Sequence, residues 1–288
     1  MNDERISTRA YHVIAIVAIF YGLFAAIVAP LLIETTYQIL TQAIVALIPV
    51  DPHLTLSPAF ITIWFFTQRG VDVIAGITLV VISYKIWKGE SWTYQIALSC
   101  ISLPTIFGVL NTLPFLVHVP GTPPPAIFII ILGLTSYFIV VLVQRGDKIA
   151  KVARVVVFGL LGVTAGQINV LIMHGIKGLF DNPDAPLLTN PEIGVYGFGA
   201  PLNIIAILMF IFAIPLLANG DIKKRTLGWN FGVIGGIAVA MANFLTHIIR
   251  NIPIPRTNDF LLAGILGTAL VISLLIPAFK SRIIGNDE

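Results

Sequence analysis

Apolar runs of about twenty residues recur from one end of this chain to the other, each broken by a short polar stretch. About twenty helical residues at 1.5 Å each cross a hydrocarbon layer about 30 Å thick. Eight such runs can be drawn, over about 11–33, 60–86, 94–117, 124–143, 152–175, 198–218, 228–249 and 259–279. None alternates apolar and polar residues as a barrel strand does, so all are expected to be helices. The predicted fold is all-α: a polytopic integral membrane helical bundle, one transmembrane domain over 1–288. TYQILTQAIVALIPV (36–50) is apolar but short and ends at Pro49. It is expected to lie along the surface rather than make a ninth crossing. No small-residue cleavage site follows the first apolar run, so the first span is expected to be retained.

Charge orients the spans. One set of connections carries Arg5, Arg9, Lys85, Lys88, Arg145, Lys148, Lys151, Arg154, Lys223, Lys224, Arg225, Lys280 and Arg282. The opposite set carries only Lys177, Arg250 and Arg256. The bias alternates loop by loop, as eight crossings require, and places both termini in the cytoplasm of a multi-pass plasma-membrane protein. Composition agrees: 57% of residues are hydrophobic, 11% are charged and the mean hydropathy is +0.95. The net charge of +3 sits at the inner headgroup boundary, where it meets anionic lipid. There is no basic stripe with interleaved aromatics, so nucleic acid is not an expected partner. Cys100 is the only cysteine, which excludes an internal disulfide and any cysteine-based metal cluster.

The outer connections are rich in proline, and the longest, 177–200, carries Asp181, Asp184 and Glu192. A long structured loop serves as a lid, a docking surface or a pocket wall, so extracytoplasmic or membrane protein subunits are expected partners. Pro30, Pro104, Pro114, Pro201, Pro215 and Pro277 fall within or near span ends, where each frees a carbonyl.

Candidate chemistry gathers toward the outer side. FFTQRGVDVIAG (65–76) sets Gln68, Arg69 and Asp72 in the outer part of the second span. The spacing of three allows Arg69 and Asp72 to pair on one helix face, either as a structural lock or as part of a polar pocket. At similar depth lie Asn111 and His118 in the third span, Gln167, Asn169 and His174 in the fifth, and Asn243 and His247 in the seventh. These ten residues form the expected outward-facing cavity. Histidines at span ends also serve as plain interfacial groups; in a cavity they would ligate a metal or donate to a quinone carbonyl. No pair stands at metal-binding spacing on one helix, so no metal site is assigned.

FGLLGVTAGQINVLIMHGIK (158–177) and FGVIGGIAVAMANFLTHIIR (231–250) share Phe-Gly-x-x-Gly and a following His. They suggest a repeated helix hairpin over 152–218 and 226–280, or glycine notches for close packing alone. A phosphate loop, a GxSxG elbow and a paired intramembrane carboxylate are all missing, with Asp72 the only acid inside a drawn span.

In topology alone, the eight spans, cytoplasmic termini and outer pocket resemble the quinol-interacting membrane anchors of the polysulfide-reductase type. No residue motif carries that resemblance and no site is transferred from it. It implies an integral subunit of a redox or respiratory-type complex, non-catalytic or quinol-interacting, with quinone as the cofactor. Haem is disfavoured because the histidines lie at the rim. Two alternatives stand beside it: a permease for a small anionic solute with Arg69 as charge partner, and a structural or assembly subunit.

Overall fold

The first helix starts at Ser7, whose side chain accepts the Ala10 N–H at 3.2 Å and so caps an otherwise open turn. It runs through Thr8–Leu23 (α1) and reaches Pro30, which has no N–H for the carbonyl four residues earlier. The chain absorbs that defect by widening to a π-turn at Phe24–Val28 and continues as Ala29–Leu47 (α2). The result is one rod of 40 residues, about 60 Å long at 1.5 Å per residue. Residues 36–47 therefore extend the first span, and they do not form the separate surface helix expected for 36–50. The reason lies in the α2 face Ile33, Thr36, Leu40 and Ile44, which is fully buried against neighbouring helices. Thr36 also accepts the Ala126 N–H at 2.9 Å, tying a distant connection to the rod.

The computed structural model describes residues 6–144, 146–181, 191–250 and 259–285, and among these every regular element is helical. After the first rod come Ser57–Trp87 (α3), Ser91–His118 (α4), Ile127–Leu142 (α5), Lys148–Asp181 (α6), Pro191–Leu217 (α7), Ile222–Arg250 (α8), Asp259–Leu275 (α9) and Pro277–Ile283 (α10). Six helical segments among the described residues are long and apolar enough to cross a membrane. The α9–α10 pair, bent by 74° at Pro277, makes a seventh only if counted as one span, and α5 is shorter at 16 residues. The eighth run drawn from the sequence thus ends at Leu275, because the chain turns aside at Ile276, whose backbone is extended before proline. The connection read as 177–200 is also shorter: α6 continues to Asp181 and α7 begins at Pro191. Asp184 lies outside the described residues, as do Arg5, Arg145 and Arg256.

Small residues decide how the helices meet. Ala15, Ala18, Gly22, Ala25 and Ala29 form a buried stripe on the first rod. At its centre the backbones nearly touch: a Cβ on Gly76 of α3 would fall 2.5 Å from both the Gly22 oxygen and the Ala26 nitrogen. Gly267 of α9 makes the same kind of crossing with Gly236 and Ala240 of α8. Helices α1 to α5 pack among themselves, α6 to α9 form a second group, and α4 joins the two by packing on α6 and α7, with α5 also touching α6. Large apolar side chains such as Phe20, Ile27, Leu31, Ile74, Val81 and Ile248 point outward, as a lipid-facing surface requires.

The basic residues gather at one end. His12 stacks on Trp87 at 4.0 Å, the Tyr94 hydroxyl donates to the Val140 carbonyl, and Arg282 pairs with Asp147 at 2.9 Å. Lys85 and Lys88 lie over the rings of Trp92 and Tyr84. At the far end Lys177 donates to the His53 carbonyl, and Phe60 meets Phe180 edge-on.

Candidate functional site

Asp72 is the centre of the candidate site. It stands 15 residues before Trp87, about 22 Å from the basic end along α3. Its side chain is fully buried, and neither carboxyl oxygen has a hydrogen-bond partner among the described residues. Gln68, one turn away on the same face, reaches the carboxyl, yet both of its own polar atoms lack a well-formed bond. From α1 the Tyr21 hydroxyl lies within electrostatic range of Asp72 and beside the Thr105 hydroxyl of α4. Thr105 donates to Ile101 at 2.7 Å, so its lone pairs face Tyr21. Gly133 of α5 closes this corner: a Cβ there would collide with Thr105 and come 3.1 Å from the Tyr21 oxygen. Three helices thus bring a carboxyl, an amide, a phenol and an alcohol together, and a fourth gives up a side chain to make room.

Arg69 is not part of this group. The expected pairing with Asp72 does not form; Arg69 instead bonds Glu34 of α2 at 2.6 Å, with its guanidinium over the Phe66 ring. Both charged side chains are 36% exposed, so the pair belongs to the rim. The physical reason is azimuth. Residues 69 and 72 lie about 60° apart around the helix, and that offset turns Arg69 to the edge that faces Glu34 of the first rod while Asp72 points inward. Glu34 lay just past the first run as drawn, so the sequence offered Arg69 no partner other than Asp72.

Polar groups continue outward from Asp72. Asn111 is fully buried with both amide atoms unbonded. It shares a face of α4 with Phe107 and Phe115, which pack on Trp64 and on the cluster of Ile61 and Phe65. Asn111 therefore looks onto the face of α3 that carries Gln68 and Asp72, further toward the far end. Beside it, Gly166 of α6 seats Val109 of α4, and one turn beyond that crossing stand Thr112 and Asn169. The Thr112 hydroxyl and the Asn169 amide nitrogen are buried and unbonded, as is the hydroxyl of Thr164. Buried, under-satisfied polar atoms are costly in an apolar interior, and α3, α4 and α6 carry a file of them among the described residues.

The remaining expected site residues do not join that file. Asn243 exchanges hydrogen bonds with Asn203 of α7 at 2.9 and 3.3 Å and donates to the Val239 carbonyl, which makes it interhelical glue. Gln167 donates to the Asp259 carbonyl at 3.5 Å. His174 is exposed and meets the rings of Tyr196 and Phe260, while His247 and His118 are half-buried near helix ends. Helix α8 packs on α7 and α9, whereas α3 packs on α1, α2 and α4, so the ten residues occupy separate places and do not line one hollow. They share a depth but face different neighbours. Among the described residues no group of three His, Cys, Asp or Glu side chains stands close enough to hold a metal ion.

Tyr21, Thr105 and Asn203 escaped the sequence reading. Asn203 interrupts an apolar run at the depth of Asn243, a signal that could have paired them. Tyr21 and Thr105 have no such signal, because single hydroxyls are common in apolar helices. The glycines of the Phe-Gly motifs differ in role: Gly159 lies against Phe138 and Gly162 faces open space, whereas Gly232 and Gly235 pack on Leu274 and Phe210. No family model, curated protein or solved structure matches this chain.

Proposed function

We propose that the chain is an eight-crossing plasma-membrane protein with both termini at the basic, cytoplasmic end, serving as the quinol-interacting subunit of a membrane redox complex. The observation that carries this reading is Asp72: a buried carboxyl without a cation partner, grouped with Gln68, Tyr21 and Thr105 in the outer part of the membrane. A carboxyl in such a place rests neutral with its proton held, and it can ionise only by passing that proton to a nearby acceptor or path. Quinol oxidation needs that kind of group. A quinol gives up two protons and two electrons. Asp72, as the carboxylate, takes the proton of one hydroxyl and releases it outward. So ionised again, it takes the second proton as the second electron leaves. Tyr21 and Gln68 supply hydrogen bonds to the ring oxygens, and Asn111 with Thr112 continues a polar path outward. The electrons pass to a redox-active partner subunit docked at the outer face, where α6 and α7 extend beyond the lipid. Membrane lipid is the other expected partner.

Purification in mild detergent should therefore yield bound quinone and co-purifying subunits. Asp72→Asn, which keeps shape and removes the proton-accepting oxygen, should lower quinol oxidation by about a hundredfold or more without changing thermal stability. Full turnover in Asp72→Asn, or a quinone-free protein that purifies alone, would end this reading.

The division into helix groups α1 to α5 and α6 to α9 favours one other function, a proton-coupled carrier that rocks the groups about α4. Solute uptake driven by a pH gradient in vesicles of the purified chain, lost in Asp72→Asn, would select it. An anionic solute held by Arg69 loses its support, since that side chain already has Glu34.

A further inference from the structure

We propose that the elbow between α9 and α10 binds an anionic phospholipid from the leaflet at the basic end. The 74° turn at Pro277 swings α10 away from the axis of α9 and opens a cleft of about 300 Å³ against α8. Trp229 forms its floor and is buried, with Val233 beside it. Ile234 and Leu275, 51% and 64% exposed, wall the side open to lipid. The polar end is made by the Asn230 amide and the Lys280 ammonium.

Lys280 makes no ion pair among the described residues; of the acids at this end, Asp147 is taken by Arg282, Glu90 accepts from the Trp92 indole, and Asp221 accepts the Lys223 N–H. A cation and an amide at headgroup height, above an apolar wall running into the membrane, complement a phosphodiester on an acyl chain. A zwitterionic lipid offers the same chain but brings its own cation to Lys280, so charge selects the anionic class. The indole at the boundary is the usual interfacial partner for such a group. The elbow does not touch the Asp72 group, so this site stands or falls independently of the proposed redox role.

The test uses the full chain in a neutral maltoside detergent, with phosphatidylglycerol, phosphatidylcholine or inorganic phosphate added. Melting temperature and lipid retained in native mass spectrometry are read together. Phosphatidylglycerol should raise the melting temperature and remain bound, while phosphatidylcholine and inorganic phosphate should do neither. Lys280→Glu removes one cation and adds an anion, so at about 1 kcal/mol per charge it should weaken the phosphatidylglycerol effect about thirtyfold in apparent affinity. Lys88→Glu, an equal charge change at the same end, should leave it intact. Should Lys280→Glu fail to fold, Asn230→Leu must weaken the lipid response in its place. Equal behaviour of the Lys280 and Lys88 variants, or an equal response to phosphatidylcholine or phosphate, would overturn the assignment, as would an undiminished response in Asn230→Leu.

Discussion

Gly76 and Gly70 stand six residues apart on α3, and alanine at the two positions should move stability in opposite directions. At Gly76 the added carbon would lie 2.5 Å from the Gly22 oxygen and from the Ala26 nitrogen, both backbone atoms of the facing rod. Ordinary carbon contacts sit at about 3.5–4 Å, so α1 and α3 must part by about 1 Å. Backbone cannot step aside as a flexible side chain can, and the stripe of Ala18 and Ala25 loses contact with α3 at the same time. Overpacking of this kind costs about 1–3 kcal/mol. At Gly70 nothing lies within 4 Å of the new carbon, and replacing a helical glycine gains up to about 1 kcal/mol. The assay is reversible unfolding in mixed micelles by rising SDS fraction, followed through tryptophan fluorescence. Gly70→Ala should match or exceed the unaltered protein and Gly76→Ala should unfold earlier. Equal stability of Gly76→Ala and the parent would mean that the two backbones do not approach this closely, and the packing account of the α1–α3 pair would fail with it.

The Asn203–Asn243 pair gives a second expectation. Either asparagine changed to leucine leaves its partner buried and unbonded, which costs about 1–3 kcal/mol, while the double change should recover most of the loss. A double-mutant cycle in the same unfolding assay reads the coupling, and strictly additive losses would deny the bond. At the rim, Glu34→Gln should cost no more than about 1 kcal/mol, since the pair it breaks is part-exposed. Its effect should shrink further in high salt; a loss of several kcal/mol would place Arg69 and Glu34 in the interior instead. For Asp72 the exchange to asparagine should leave stability in the same unfolding assay unchanged, whereas leucine leaves the buried Gln68 amide without the group it reaches and should cost about 1–3 kcal/mol; equal stability of the two variants would deny that contact.

The all-helical class and the long apolar helices were legible in the sequence because both depend on one-dimensional quantities, run length and composition along the chain. The count of eight was not: six described segments are long and apolar enough to cross, and a bent pair makes a seventh. The first rod shows where that stops. Pro30 and the short apolar stretch that follows it suggested a break, but a π-turn lets a helix pass a proline without stopping, and nothing in local composition distinguishes the two outcomes. The site was half legible for a similar reason. Counting residues gives Asp72, Asn111 and Asn243 a position along their own helices and nothing more. Azimuth between helices does not follow, and it is azimuth that turns Arg69 to Glu34, Asn243 to Asn203 and Asp72 to Tyr21.

The two halves of the bundle treat polar groups differently, and that difference narrows where chemistry can occur. In the second half much of the buried polarity is spent on neighbouring side chains or on backbone: the Asn203 amide on Asn243, the Gln167 amide on the Asp259 carbonyl, the Thr246 hydroxyl on the Ala242 carbonyl. A satisfied buried amide rigidifies a helix pair and has little left to offer a ligand. In the first half, and on the α6 face turned to it, Gln68, Asp72, Asn111, Thr112 and the Asn169 amide nitrogen remain unspent. Keeping them costs stability at each position, and the Gly76 crossing beside them supplies the close packing that can bear the cost. Among the described residues, most buried polar side-chain atoms without a hydrogen-bond partner lie on α1, α3, α4 and α6, and that is where the proposed chemistry has groups to use.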